Sequence, residues 1–139
     1  MTAEHGDSQA TKEVLDRFYA AVINWDEDEL AKLVADDAEL HQPPTLPYGK
    51  VYRGRDELME LWKNVVLRLV EPDTAFVDNM IIDGEFAAVI AGGQMNGKDT
   101  LACEEYHVRN GQIVRIRMFW YDPTPVAAAA RELASTGGS

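Results

Sequence analysis

The sequence has one cysteine, three histidines and no long apolar run. Cys103 cannot form a disulfide within the chain, and His5, His41 and His107 lie too far apart to match the ligand spacing of a zinc site. No segment approaches the ~20 apolar residues that cross a bilayer. The glycine-rich phosphate and dinucleotide motifs are missing, as are GxSxG and HExxH. These absences predict a protein without metal or cofactor and without a membrane-spanning segment.

Basic residues are also scarce. There are 13 Lys and Arg against 24 Asp and Glu, which gives a net charge of −11. A surface of this charge repels nucleic-acid phosphates and anionic lipids, so neither nucleic acid nor a membrane is an expected partner. The polar segment 1–10 lacks the basic and apolar parts of a secretion signal, which favours a soluble, cytoplasmic protein.

The length and composition fit one domain that spans residues 1–139. With 46% hydrophobic residues, a chain of this size can bury about two-thirds of its unfolded surface. No repeat and no linker composition divides it. The polar ends, 1–7 and 135–139, are expected to be disordered.

Apolar residues recur at helical spacing in three N-terminal segments. These predicted helices are 8–24, 26–35 and 55–70. A short strand is predicted over 38–42, and the prolines and glycines of 43–54 predict a stiff loop.

The pattern changes after Pro72 to short runs of strand-forming residues separated by turn sequences. The predicted strands are 74–82, 86–95, 100–108 and 112–121, and a short helix is predicted over 126–134. Helices followed by an antiparallel meander indicate an α+β fold, in which three N-terminal helices pack on one face of a curved, mainly antiparallel sheet.

Alternation along the last strand predicts which side chains face the helices. One face carries Val114, Ile116, Met118 and Trp120, and the other carries Ile113, Arg115, Arg117, Phe119 and Tyr121. The face without arginine is predicted to be the inner one. Asp122 shares its parity, so a regular strand would direct this carboxylate into the mouth of an apolar cone.

Two registers are open for the hairpin that precedes this strand. A three-residue loop over 109–111 pairs Glu104 with Ile116 and places Glu104 and Tyr106 on the inner face. A two-residue turn would place Glu105 inside instead. The first register is favoured because it keeps Tyr106 in the core.

Two carboxyl groups in different surroundings are a common acid/base arrangement. Glu104 among apolar side chains would have a raised pKa and act as a proton donor, whereas Asp122 at the rim would stay ionised and act as a base. The structural alternatives are that Glu104 bonds a tyrosine hydroxyl and that Asp122 caps the turn after it. His41, at a strand end, is a further catalytic candidate, and a solvated histidine is its simpler interpretation.

Several other side chains are candidates for lining a substrate pocket. They are Tyr19, Gln42, Tyr48, Tyr52, Trp62, Ile116, Met118 and Trp120. For the aromatic members, packing in the core is the more common role. Tyr48 and Tyr52 lie on the loop that is expected to cover the opening.

The order of elements and several short motifs resemble the nuclear transport factor 2-like (NTF2-like) superfamily, in particular its SnoaL-like polyketide cyclase and ketosteroid isomerase-like branches. The motifs are Phe18-Tyr19, Val34-Ala35-Asp36-Asp37-Ala38, Leu46-Pro47-Tyr48-Gly49-Lys50-Val51-Tyr52-Arg53-Gly54, Asn110-Gly111-Gln112-Ile113 and Phe119-Trp120-Tyr121-Asp122. The resemblance covers 14–122 and implies a cone-shaped domain whose interior binds a small molecule.

The resemblance also implies roles for individual residues. The ketosteroid isomerase-like branch has a carboxylate base where this chain has Gln42 and an oxyanion-hole tyrosine where it has Phe18. In the SnoaL-like cyclases the proposed base matches Asp122. Their paired polar residues on the preceding strand match Glu104 and Tyr106, although glutamine and histidine are frequent there. This chain therefore resembles the cyclases more than the isomerases.

The leading hypothesis is a cofactor-independent enzyme that binds a polyketide-like or polycyclic carbonyl compound. Asp122 would remove a proton next to the carbonyl while Glu104 and Tyr106 donate to the enolate oxygen, followed by aldol cyclisation or isomerisation. The alternatives are an epoxide hydrolase or dehydratase in the same pocket, and a non-catalytic ligand carrier. The mixed apolar and charged outer sheet face predicts a homodimer.

Overall fold

The computed structural model describes residues 2–137, which form five α-helices and six strands. The helices are α1 (Thr2–Asn24), α2 (Glu27–Leu33), α3 (Arg55–Leu61), α4 (Leu67–Leu69) and α5 (Pro123–Gly137). The strands are β1 (Val34–His41), β2 (Val51–Arg53), β3 (Phe76–Asp83), β4 (Phe86–Met95), β5 (Lys98–Arg109) and β6 (Gln112–Trp120). A π-helical turn, Trp62–Val66, joins α3 to α4. Within the described residues, no helix is both long and apolar enough to cross a membrane.

The six strands form one sheet in the order β2-β1-β6-β5-β4-β3. Neighbouring strands are antiparallel except β1 and β6, which are parallel. The helices at the N-terminus pack on this sheet, so the predicted α+β, mainly antiparallel architecture is confirmed. The parallel pair brings the first strand beside the last one.

The core lies between α1, α3 and the inner face of the sheet. It includes Leu15 and Phe18 from α1, Leu58 and Trp62 from the third helical segment, and Tyr106 from β5, each at most 7% exposed. Burying this apolar stripe fixes the helical layer over the centre of the sheet, because apolar burial is the main stabilising term in folding.

The hairpin between β5 and β6 has a two-residue turn, so the predicted three-residue loop is wrong. Asn110 and Gly111 have φ values of 54° and 76°, and Arg109 pairs directly with Gln112. Positive φ at both central residues is the geometry that an Asn-Gly pair adopts most readily in a tight hairpin.

A β-bulge at Val114 returns the residues that follow it in β6 to their predicted faces. The register shifts between the pair Val108–Ile113 and the pair formed by His107 and Arg115. One extra residue in β6 reverses its alternation from that point. The bulge therefore compensates for the shorter turn.

The bulge changes two predicted positions. Glu104 pairs with Met118 rather than with Ile116, although it stays on the inner face. Ile113 precedes the bulge and is fully buried, whereas regular alternation predicted it outside. Arg115 and Arg117 follow the bulge and remain on the outer face, where both contact Glu105.

The segment after α2 is more extended than predicted. β1 begins at Val34 and includes the Asp36-Asp37 pair, and β2 lies inside the predicted loop 43–54. Glu39 pairs with Arg53 across these two strands. β-Branched and aromatic residues in 51–53 suit a strand, and β2 covers the otherwise open edge of β1.

The helices at the two ends are longer than predicted. Residues 2–7 lie within the bounds of α1, and residues 135–137 lie within α5, which extends beyond the predicted helix 126–134. Extending an existing helix adds one hydrogen bond per residue and needs no new nucleation. Disorder of 1–7 and 135–139 stays a prediction. Met1, Gly138 and Ser139 lie outside the described residues.

A second apolar cluster forms where α5 returns over the end of the sheet. It contains Leu46, Leu69, Met95, Val126, Ala129 and Ala130, and Trp120 packs against it. The loop that carries Leu46 turns tightly at Gly49, where a Cβ atom would lie 2.0 Å from the carbonyl oxygen of Pro43. Only glycine fits this close approach. Tyr48, on the same loop, packs against both apolar clusters.

Candidate functional site

Three polar side chains meet on the inner face of the sheet, and we call them the Glu104 cluster: Tyr19, Glu104 and Tyr106. Tyr19 extends from α1, while Glu104 and Tyr106 are two residues apart on β5 and therefore share a face. The Tyr106 hydroxyl donates to Glu104 Oε1 at 2.9 Å, and the Tyr19 hydroxyl donates to the same oxygen. The two hydroxyl oxygens are 2.8 Å apart.

Aromatic packing holds this cluster in place. The ring of Phe18 makes edge-to-face contacts with Tyr19, Trp62 and Tyr106, with centroids 5.3 to 5.9 Å apart. Such contacts restrict the rotation of the rings. Tyr106 is buried, and Glu104 is partly buried as a whole residue, with its carboxyl group enclosed in the cluster.

Burial dominates the electrostatics of the cluster. It raises the pKa of Glu104, because the ionised form is poorly solvated among apolar side chains, and the two hydroxyl donors oppose this shift in part. The pKa values of Tyr19 and Tyr106 are raised by burial and by the nearby Glu104 charge. Both tyrosines therefore stay protonated as hydrogen-bond donors.

When both tyrosine hydroxyls donate to Glu104 Oε1, the contact between the two hydroxyl oxygens carries no proton. The direction of the pKa shift favours the neutral form of the carboxyl group.

Asp122 lies away from the cluster. β6 ends at Trp120, and Asp122 is exposed, with its Oδ1 accepting a hydrogen bond from the backbone N–H of Thr124 at 3.0 Å. It is four residues beyond Met118, the neighbour of Glu104, which corresponds to about 13 Å along a strand. The structure thus shows Asp122 capping α5, which was the structural alternative, and does not bring it to Glu104.

His41 is on the opposite face of the sheet from the cluster. Its neighbour Leu40 is fully buried on the inner side, and the His41 Nε2 lies 3.0 Å from Glu39 Oε1. Glu39 also accepts from Arg53. His41 therefore belongs to a charged row on the outer face.

The candidate lining residues separate into two groups. Trp62 and Ile116 are buried in the core beneath the cluster. Tyr48 and Tyr52 lie together at the loop, where the Tyr52 hydroxyl donates to the Tyr48 carbonyl oxygen at 2.6 Å and burial raises the pKa of Tyr48. Met118 is beside Glu104, with a partly exposed side chain.

Two inner-face side chains have buried polar atoms without a partner. Gln42 is 6% exposed, and its Oε1 accepts no hydrogen bond. The indole N–H of Trp120 is buried and donates to no acceptor. Both residues were candidates for contacting a substrate.

The described surface includes two cavities of a few hundred Å³. One of 460 Å³ is lined by Phe76, Asp99, Thr100, Leu101, Tyr121 and Asp122. The other, of 280 Å³, is a groove between the loop, the π-helical turn and α5, lined by Pro47, Tyr48, Asn64, Val65, Arg68, Ala130, Leu133 and Ala134. Tyr48 and Val65 also pack against the core.

The structure shows Glu104 bonded to tyrosine hydroxyls, which was the structural alternative, but the sequence did not identify Tyr19 as one of them. Tyr19 was identified as a candidate for binding substrate, one position from the buried Phe18 on the helical stripe. Its contact with Glu104 spans 85 positions in the chain. The described residues contain no group of three His, Cys, Asp or Glu side chains placed to hold a metal ion.

Comparison with known proteins agrees with this architecture. Residues 15–116 match the family model of the SnoaL-like domain. No curated protein matches the chain.

Solved structures resemble the chain over most of its length. Bal32a, from a soil-derived mobile gene cassette, is 19% identical with a TM-score of 0.75, covering 90% of this chain and 99% of that one. An NTF2-like protein from Burkholderia xenovorans is 20% identical with a TM-score of 0.70, covering 88% and 97%. A candidate ketosteroid isomerase from Kribbella flavida is 19% identical with a TM-score of 0.69, covering 84% and 81%. These similarities establish the NTF2-like fold.

The raised pKa of Glu104 predicts how stability depends on pH. Between its unfolded value, about 4.3, and its higher folded value, the folded protein binds more protons than the unfolded chain. Stability contributed by the neutral carboxyl is therefore lost as pH rises through this window, by at most about 1.4 kcal/mol per pH unit. We expect Glu104→Gln to become more stable relative to wild type from pH 4 to pH 8, measured by urea unfolding.

The neighbouring Glu105 provides a control, because its contribution to stability changes with pH in the opposite direction. Hydrogen bonds from Arg117, aided by its charge, lower the pKa of Glu105, so this carboxylate stabilises the fold above its unfolded pKa and loses that effect in acid. Glu105→Gln should therefore lose stability relative to wild type as pH rises from acid to neutral. A difference between wild type and Glu104→Gln that is constant across this range would contradict the assigned environment.

Proposed function

We propose that this chain, which belongs to the SnoaL-like domain family, is a cofactor-independent enzyme that moves a proton on a carbonyl compound through an enolate. The supporting observation is the Glu104 cluster, in which one carboxyl group with a raised pKa shares protons with two tyrosine hydroxyls. A carboxyl group with a pKa shifted toward neutrality is suited to both accept and return a proton. The apolar surroundings favour a polyketide-like or polycyclic substrate.

The first step assigns Glu104 as the base. Its ionised carboxylate takes a proton from the carbon next to the carbonyl group, the C–H bond breaks, and its electron pair forms the carbon–carbon double bond of an enolate. The negative charge moves from Glu104 to the enolate oxygen. The hydroxyls of Tyr19 and Tyr106, which donate to the carboxylate beforehand, turn to the enolate oxygen because hydrogen-bond donors follow the negative charge.

The second step uses the proton held by Glu104. Return of this proton to a different carbon of a conjugated enolate gives isomerisation. Attack of the enolate carbon on a second carbonyl group forms the carbon–carbon bond of an aldol cyclisation, and the proton goes to the new alkoxide oxygen. One carboxyl group is sufficient for either reaction, so Asp122 has no required role.

The outward direction of the arginines disfavours epoxide hydrolysis in this pocket. An epoxide hydrolase of the limonene type is expected to have arginine between two carboxylates inside. Arg117 binds Glu105 through two nitrogens, at 2.5 and 2.8 Å, and Arg115 is 3.5 Å from the same carboxylate. These residues are on the outer face.

A ligand carrier is the second candidate. The observation that favours it is the position of Asp122, which leaves Glu104 as the single carboxyl group in the cluster. A carrier needs an apolar interior and hydrogen-bond donors for a carbonyl oxygen, and it needs no proton transfer. Exchange of the protons next to the carbonyl group distinguishes the two functions, because a carrier binds the ketone without removing them.

We expect the protein to catalyse deuterium exchange at the carbon next to the carbonyl group of 1-tetralone, a bicyclic ketone, in D₂O at pH 7. Glu104→Gln should lower the exchange rate by about 10²-fold or more, because the proton acceptor is lost. Tyr19→Phe should lower it by about 10²-fold through loss of an enolate donor. Proton NMR of the ketone measures the rate.

Asp122→Asn is the matched control, because asparagine also caps a helix. Its exchange rate should stay within about twofold of wild type, since Asp122 lies beyond the end of β6 and away from Glu104. A large loss in this variant together with full activity in Glu104→Gln would contradict the assignment of the base. Binding of 1-tetralone without exchange would favour the carrier.

We also propose a homodimer through the outer sheet face. Large apolar side chains on this side are exposed: Phe76, Ile81, Leu101, Phe119 and Tyr121. Phe119 is 54% exposed and Tyr121 is 87% exposed. Burial of these side chains against a second copy would remove apolar surface from water.

Light scattering is expected to give about twice the chain mass of 15.5 kDa for wild type at micromolar concentration. Phe119→Arg should give the monomer mass, because a charged side chain would be buried in the proposed interface. Ile23→Arg, at an exposed apolar position on α1, should remain dimeric. A monomeric wild type would contradict the proposal.

A further inference from the structure

The 280 Å³ groove beside α5 has a wall that is mostly apolar, and we call it the α5 groove. Its apolar lining residues are Pro47 and Tyr48 from the loop before β2, Val65 from the π-helical turn, and Ala130, Leu133 and Ala134 from α5. Tyr48, Val65 and Leu133 also pack against the apolar clusters of the interior. Because packing restricts these side chains, the wall of the groove is largely preformed.

The size of the groove limits what it can hold. Ligand pockets in proteins typically measure about 300–1,000 Å³, and this groove is just below that range. It therefore suits a molecule with one ring or a short chain. No residue of the Glu104 cluster is among the described residues that line it, so it is separate from the candidate active site.

Asn64 and Arg68 add polar groups to this apolar wall. They are four positions apart in the helical segment that runs without a break from α3 through the π-helical turn to α4, and both line the groove. Both are exposed. In the described part of the chain, neither side chain makes a hydrogen bond or an ion pair. Their donors are therefore free to bind a ligand.

The missing partner of Arg68 distinguishes it from most arginines of this acidic protein. Arg17, Arg53 and Arg117 each pair with a carboxylate, and Arg55 donates to two backbone carbonyl oxygens. The chain has 24 Asp and Glu, yet no acidic residue is among the described lining residues of the α5 groove. The groove thus presents one positive charge that no neighbouring carboxylate neutralises.

Tyr48 brings a further unpaired donor to the lining of the groove. Its carbonyl oxygen accepts from Tyr52 at 2.6 Å, but its hydroxyl has no hydrogen-bond partner among residues 2–137. Burial raises the pKa of Tyr48, so the hydroxyl stays protonated and is able to donate. A guanidinium, an amide and a hydroxyl group together favour a ligand that carries acceptor oxygens and negative charge.

We propose that the α5 groove is a binding site for a small apolar carboxylate with one ring or a short chain. The carboxylate accepts hydrogen bonds from the Arg68 guanidinium and the Asn64 amide. The apolar part of the ligand lies against Val65 and Leu133. This site does not depend on the function proposed for Glu104.

A carboxylate fits the α5 groove better than other ligand groups. Its two oxygens match the planar fork of a guanidinium group. One guanidinium balances one negative charge, whereas a phosphate monoester has a charge of about −1.5 to −2 at pH 7. The excess would be repelled by a protein of net charge −11. A neutral apolar molecule would leave Arg68 without a partner.

A carboxylic acid and its neutral amide test the site: 4-phenylbutanoate and 4-phenylbutanamide. Isothermal titration calorimetry at pH 7 and low salt should show about fivefold or tighter binding of the acid, because only the acid pairs with the charge of Arg68. The difference should shrink at roughly 0.5 M salt, which screens exposed charges. In NMR spectra of methyl-labelled protein, nuclear Overhauser effects should connect the phenyl ring to Val65 and Leu133.

Arg68→Gln removes the charge and keeps a polar side chain. The acid and the amide should then bind this variant with affinities within about twofold of each other, because the ion pair is lost. Arg131→Gln is the matched control, since Arg131 is an exposed arginine of α5 outside the groove lining. This control should keep the wild-type preference for the acid.

Ala134→Phe tests the apolar wall. The larger side chain occupies the groove, so both compounds should bind about fivefold more weakly or worse. Ala128→Phe makes the same change at an exposed alanine of α5 that does not line the groove, and it should leave both affinities unchanged. Thermal unfolding confirms that each variant is folded.

Loss of the preference for the acid in Arg68→Gln, together with ring contacts to Val65 and Leu133, upholds the site. Equal affinity of wild type for the acid and the amide overturns it, as does a preference that Arg68→Gln keeps or an acid that fails to bind at millimolar concentration. If the acid and Arg68→Gln each lower the mass measured by light scattering, a second copy occupies the groove, and the small-carboxylate site is wrong. Ketone exchange at Glu104 is measured separately, so either proposal can fail without the other.

Discussion

The hydrogen bonds of Glu104 to Tyr19 and Tyr106 are the constraint on which the site depends. They join α1 to β5 inside an otherwise apolar core, where an unpaired carboxyl group would be costly. Phe18 holds both tyrosine rings by edge-to-face contacts, so the cluster cannot relax by moving one side chain. The carboxyl group is therefore kept in surroundings that favour its neutral form, with two donors beside it.

Strand alternation predicted the faces of the sheet but not its pairing. The Asn110-Gly111 turn and the bulge at Val114 each shift the register by one residue, and the two shifts restore the same parity. Glu104 and Tyr106 therefore face inward as predicted, with Met118 as the neighbour of Glu104. A bulge depends on how β6 fits both its neighbours at once, which the local sequence does not encode.

The surroundings of the remaining site residues could not be predicted from periodicity alone. Asp122 follows the last paired residue of β6, so the alternation that predicted its direction no longer applies. The approach of Tyr19 to Glu104 depends on the angle at which α1 crosses the sheet, and that angle is set by packing of the whole core. The partnerless atoms of Gln42 and Trp120 become visible only when all neighbours are in place.

The most direct test of the account is the titration of Glu104 itself, followed by ¹³C NMR with carboxyl-labelled glutamate. One carboxyl signal should titrate above the ordinary glutamate range and be missing in Glu104→Gln. This signal should shift further upward in Tyr19→Phe, because a donor that stabilises the ionised form is lost. A Glu104 signal that titrates near 4.3, about the value of an unperturbed glutamate, would contradict the central claim.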